Sequence, residues 1–112
     1  MNINKLIEKI NNIHPNSFSN NDKTAWAHEL DMELYQKAMQ FYGFKEPVEY
    51  SEGVPLYLGK GGAKLYELYI LSQMDYFNDD IAVYNNRILL FNDALLNFLN
   101  WLTANNKYTG KE

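Results

Sequence analysis

Residues 64–102 read KLYELYILSQMDYFNDDIAVYNNRILLFNDALLNFLNWL and contain neither Pro nor Gly. Apolar residues recur there at helical spacing on both sides of a polar corner, Asn78-Asp79-Asp80. The pattern predicts two helices folded against each other at that corner. In the first, Leu65, Leu68, Tyr69, Ser72 and Tyr76 share a face, with Ile70, Met74 and Phe77 beside it. In the second, Tyr84, Ile88, Phe91, Leu95, Phe98 and Leu102 form a stripe at i, i+3/i+4 spacing. The second helix is expected from about Asp80 to about Asn105, about 40 Å at 1.5 Å per residue. Everything upstream must then pack on this hairpin or be presented by it.

Working towards the N-terminus, the pattern changes between Phe44 and Ala63, where Pro47, Gly53, Pro55, Gly59, Gly61 and Gly62 cluster. Val48 and Tyr50 alternate with Glu49, and Val54, Leu56 and Leu58 alternate again. This predicts an extended loop or a small β-hairpin turning at Ser51-Glu52-Gly53. Before it, a helix is expected from the N-cap Ser19 to about Tyr42, with Gly43 as terminator. Trp26, Leu30, Glu33 or Leu34, Lys37 or Ala38, and Phe41 trace one of its faces. The first helix runs from about Ile3 to Ile13, with Ile3, Leu6, Ile7, Ile10 and Ile13 on one side, and ends at His14-Pro15. The fold class is therefore all-α: one domain of four helices over residues 1–112, with a long C-terminal helical hairpin and a flexible tail from about residue 105. Trp26, Leu30, Leu68, Ile88, Phe91 and Leu95 are the expected core.

A chain of 112 residues with 46% hydrophobic and 15% aromatic content can build a core without staples. Nine Tyr are many for this length and suit half-buried and interface positions. There is no Cys, which excludes disulfides, thiol catalysis and thiolate-ligated zinc. The net charge of −4 and the scatter of Lys60, Lys64, Lys107 and Lys111 argue against a duplex-binding face. The N-terminus is an amphipathic helix rather than a signal peptide, and no apolar run reaches membrane-spanning length. The chain is expected to be soluble and made in a cytoplasm.

Chemistry-bearing constellations are sparse. His28 and Asp31 share a helix face at i, i+3, where a solvated surface is the ordinary reading against a metal pair. Asp79 and Asp80 stand where carboxylates cap a helix. Gly59-Lys60-Gly61-Gly62 lacks the Ser or Thr and the βαβ context of a phosphate loop and reads as a flexible lead-in to the third helix. The serines and Thr24 have no readable His–acid arrangement. No catalytic, cofactor-binding or metal residue is assigned, and no enzyme activity is expected.

Residues 5–39, KLIEKINNIHPNSFSNNDKTAWAHELDMELYQKAM, place a short amphipathic helix, a Pro-Asn turn with an aromatic, and a capped helix carrying Lys23-x-x-Trp26. Residues 65–101 pair Tyr-Glu-Leu-Tyr with Met-Asp-Tyr, then Tyr-Asn-Asn, Phe-Asn and an aromatic-rich end. The combination resembles the small head–tail connector, or adaptor, proteins of tailed phages and prophages of Firmicutes. The likeness covers both ends of the chain. The middle departs from it: where those proteins have a short Val-Pro-x-Pro-Tyr-Asp-like run, this chain reads VPLYLGKGGAKLYELY at 54–69. The resemblance implies a virion neck protein, a homo-oligomeric and by likeness dodecameric ring that docks on a portal protein. It implies further neck or tail-completion partners, and DNA that passes through without being held. The alternative class is a small prophage-encoded regulator or inhibitor of one host protein.

Tyr50, Leu56, Tyr57 and Leu58 cannot all fold inward from a Gly/Pro-flanked loop; some are expected to be exposed in the monomer and to meet a neighbouring subunit or partner, the alternative being a loop laid over the core. Lys107, Tyr108 and Lys111 in the tail are expected to order on a partner, the portal foremost. An acidic or neutral channel lining, here Glu29 to Glu33 and Asp79-Asp80, would repel phosphate rather than brake it.

Overall fold

A computed structural model describes residues 2–109, Lys60 by its backbone alone. It contains α1 (Ile3–Ile13), α2 (Asn20–Lys37), α3 (Ala63–Phe77) and α4 (Ile81–Asn105), with 3-10 turns at Met39–Tyr42 and Lys60–Gly62. The fold is all-α, as the periodicity requires. No helix among the described residues is long and apolar enough to cross a membrane.

The helix starts and stops follow local chemistry. Asn2 Oδ1 accepts the Lys5 N–H at 3.0 Å and caps α1. Ser19 Oγ accepts the Asp22 N–H at 3.0 Å and caps α2. Between them Asn16 turns the chain, donating to the His14 carbonyl at 2.9 Å and accepting the Phe18 N–H at 3.1 Å. α2 stops at Lys37, short of the expected Tyr42. The chain tightens into the 3-10 turn and leaves through Gly43 at φ +84°, a left-handed conformation that favours Gly. At the α3–α4 corner Asp79 takes φ +60°. Asp80 is the N-cap residue of α4, yet its side chain makes no capping hydrogen bond. The expected carboxylate cap is absent; backbone bonds from Asn78, Asp79 and Asp80 to Met74, Tyr76 and Asp75 carbonyls close the corner instead.

α3 is the centre. It packs most extensively on α4, then on α2, and also on α1. Leu65, Tyr66, Leu68, Tyr69, Ile70, Leu71, Ser72 and Met74 are all buried, so the one-face reading of this helix was too narrow. Tyr76 and Phe77, expected inside, are exposed. α4 is 25 residues long and so about 37 Å at 1.5 Å per residue, in a molecule whose longest extent is 42 Å. Its inner stripe rests on α3, with Phe91 and Leu102 buried and Ile88, Leu95 and Phe98 half-buried. Arg87 Nε donates to Asp75 Oδ2 at 3.0 Å, a half-buried tie across the hairpin.

α2 buries Leu30 and Leu34 as expected, but the buried side is rolled towards Lys23, Ala27 and Asp31 and away from Trp26. Its buried residues are Lys23, Ala27, Leu30, Asp31 and Leu34. Trp26 is only half-buried, edge-on to Phe18 with ring centroids 5.6 Å apart and stacked on Phe77 at 5.8 Å. Lys23 reaches the surface chemistry it needs by donating Nζ to the Phe18 carbonyl at 2.7 Å.

Candidate functional site

The segment joining α2 to α3 lies over the core. It is an extended loop; no β-hairpin forms among the described residues, and the one bridge pairs Pro55 with Asn2. Pro47 and Pro55 have no N–H for a ladder, and the Tyr57 and Leu58 N–H groups go to tyrosine hydroxyls instead. The expectation that some of Tyr50, Leu56, Tyr57 and Leu58 are exposed is corrected in part. Leu56 is buried, and the other three are half-buried against the core. Their apolar area is satisfied within the chain because the loop is fastened from below.

The fastening is a buried polar cluster that the sequence did not reveal. Asp31, expected on a solvated helix surface and in an acidic lining, is instead fully buried, because its carboxylate is met by two phenols. Tyr66 donates to its Oδ1 at 2.6 Å and Tyr50 donates to its Oδ2. The two phenol oxygens lie 3.1 Å apart. Tyr50 Oη accepts the Tyr57 N–H at 3.3 Å, and Tyr66 Oη accepts the Leu58 N–H at 3.0 Å. Burial pushes the Asp31 carboxyl up to about 6, against the phenol hydrogen bonds and the His28 charge, which hold it down. Burial and the Asp31 partner push the Tyr50 phenol well above its usual range. His28 Nδ1 is buried without a hydrogen-bond partner and its ring stands edge-on to Tyr50 at 6.4 Å; no group of three or more potential metal ligands occurs among the described residues.

The tail departs from the expectation of partner-only order. The Thr109 N–H and Oγ1 both donate to the Phe41 carbonyl, at 2.7 and 2.9 Å. Tyr108 packs on Phe41 and Tyr42 at 6.4 and 5.7 Å while more than half exposed. The chain closes on itself here because the last turn of α4 delivers the tail to the 3-10 turn. Lys107 is exposed, and Lys111 lies outside the described residues.

Exposed large apolar side chains occur singly at Ile13, Val48 and Tyr108, as a pair at Tyr76 and Phe77, and most densely on the outside of α4. Arg87 and Asp93 are its only charged residues, and Arg87 points inward to Asp75. Leu89, Leu90, Leu96 and Trp101 are each more than half exposed, with Ile81 exposed as well. Leu89 and Leu96, seven apart, form one ridge. Val83, Leu90 and Trp101, at spacings of seven and eleven, form a second. Asn86, Asn97 and Asn100 run between them with Asp93. Beside the second ridge lies a groove of about 570 Å³ between α4 and the Gly-rich turn, lined by Leu58, Gly61, Lys64, Leu65, Ala94, Asn97, Phe98 and Trp101. Charge depletion with exposed Leu and Trp is the composition of an interface core. The hydrophobic stripe reading found the inner face and passed over these outer residues, though their lack of charge was visible in the sequence.

Comparison with family models, with curated proteins and with solved structures finds no match.

Proposed function

We propose that this chain is a non-catalytic assembly subunit of the head–tail connector class. It forms a homo-oligomeric ring in the virion neck, docks on a portal protein and extends the DNA channel towards the tail. The observation that carries the reading is the outer face of α4. A 25-residue helix with one outward charge and at least five exposed large apolar side chains is a poor solvent surface and a good subunit contact. The segment and the tail also make contacts within the chain, and the outside of α4 supports the reading as a further surface for neighbours. The acidic balance of the chain supports a lining that lets DNA slide.

The test is native mass spectrometry of the purified protein, with peptide mass spectrometry of intact particles. A closed oligomer lost in the double variant Leu89→Ser, Leu96→Ser, together with peptides in the particle, is the expected result. A wild-type monomer that is absent from particles and binds one host protein would replace the connector reading by that of a regulator.

A further inference from the structure

Asp31, Tyr50 and Tyr66 form a triangle whose three sides are all within hydrogen-bonding reach. Each corner comes from a different part of the fold: α2, the connecting segment and α3. The phenol oxygens also hold the segment's backbone, through the N–H groups of Tyr57 and Leu58.

Counting protons shows what the triangle can do. With Asp31 ionised, each phenol gives its one proton to the carboxylate. No proton is then left for the 3.1 Å side between the two phenol oxygens. One added proton closes the cycle. Asp31 donates to Tyr50 Oη, Tyr50 turns to donate to Tyr66 Oη, and Tyr66 keeps its bond to Oδ1. Every phenol still has a lone pair for its backbone N–H. The triangle therefore holds two protons or three with every donor satisfied, and only hydroxyl rotation separates the two states.

We propose that this triangle is a proton-binding clasp, which grips the segment 44–59 more tightly when Asp31 takes up a proton and loosens it when the proton leaves. The ionised form leaves a charge buried without a cation bonded to it, whereas the protonated form is a neutral closed cycle. The titratable groups around Asp31 are Tyr50 and Tyr57 from the segment, Tyr66 from α3 and His28 from α2. Burial places the carboxyl's proton exchange at about 6, where mild acidification reaches it. The clasp also bears on the groove beside α4. Leu58, whose N–H it holds, is one wall of that groove. Loosening the segment therefore frees one wall of that groove.

Amide hydrogen exchange followed by NMR on the full chain tests this, with rates corrected for the pH dependence of exchange chemistry. In wild type, opening at the Tyr57 and Leu58 amides should rise about tenfold between about pH 5 and about pH 7.5. In Asp31→Asn, whose amide donates to Tyr50 Oη and accepts from Tyr66 as the protonated carboxyl does, the same amides should stay protected at both pH values. A wild-type rate independent of pH, or a tenfold change that persists in the variant, would overturn the clasp. Should the variant fail to fold, carbon-13 titration of the Asp31 carboxyl in wild type decides. A midpoint near 6 supports the clasp, and one at or below the ordinary Asp value of about 4 ends it.

Discussion

A Cβ added to Gly62 would stand 2.2 Å from Cβ of Leu58. Gly62 has an ordinary φ of −93°, so its glycine is required by crowding and not by backbone conformation. The Gly-rich run ahead of α3 is thus a close approach that seats Leu58. Gly62→Ala should destabilise the protein by about 1–3 kcal/mol, as overpacked sites do. Gly61→Ala, with open space around it and no positive φ, should change stability by less than about 0.5 kcal/mol. Urea unfolding of the two variants side by side checks this.

Leu102 is fully exposed in an extended chain and fully buried here, under the last turns of α4. Leu102→Ala should cost about 2–5 kcal/mol. Leu95→Ala should cost distinctly less, because Leu95 keeps part of its surface in water and its removal leaves no closed cavity. Equal losses in chemical denaturation would show that α4 is rolled on α3 relative to the structure described.

These contrasts mark how far the sequence could be read. α1 and the Ser19 cap were legible because apolar spacing and cap chemistry agree there. In α4 spacing alone places Phe91 and Leu102 inside, while Ile88 and Leu95, expected in the core, are half-buried and the expected Asp80 cap does not form. In α2 spacing places Leu30 and Leu34 correctly but misses the rest of the buried side, which carries Lys23 and Asp31, charged residues that periodicity assigns to water. Nothing local shows that Tyr50, nineteen positions on, and Tyr66, thirty-five positions on, supply Asp31's partners. α3 was misread more mildly: a helix surrounded on several sides has no single apolar face to find.

The pH dependence of stability should run against the usual acid sensitivity. Asp31 binds its proton more tightly folded, at about 6, than unfolded, at 3.8. Its contribution is fully present below the unfolded value and is lost as pH rises through the folded one. The loss is on the order of 3 kcal/mol between about pH 4 and about pH 6. Glu67 acts in the opposite sense: burial raises its pKa, but hydrogen bonds and charge from Lys9 and Lys64 outweigh that and lower it. Subtracting Asp31→Asn from wild type in urea titrations across this range isolates the Asp31 slope. A difference independent of pH would contradict the assigned shift.

Removing residues 107–112 should cost about 1 kcal/mol, the value of the paired Thr109 hydrogen bonds to the Phe41 carbonyl. The amides of Phe41 to Phe44 should exchange faster, and α1 should be unaffected. An unchanged exchange pattern would mean that the tail does not rest on this turn.

Four of the ten basic residues, Lys9, Lys37, Lys64 and Arg87, are already paired with carboxylates. With a net charge of −4, the isolated protein should show no duplex binding at physiological salt. A fluorescence titration with labelled duplex at low and physiological salt checks this. Micromolar affinity that survives physiological salt would defeat the idea of a low-friction lining.

The outside of α4 gives ionic strength almost nothing to act on, since Asp93 is its one charge. Screening weakens contacts between charges and leaves apolar contacts intact, while cooling weakens the latter. A molecule seated on this helix should therefore survive washing in concentrated salt and release in the cold. Its hold would be set by temperature, which a cell's ionic fluctuations do not touch.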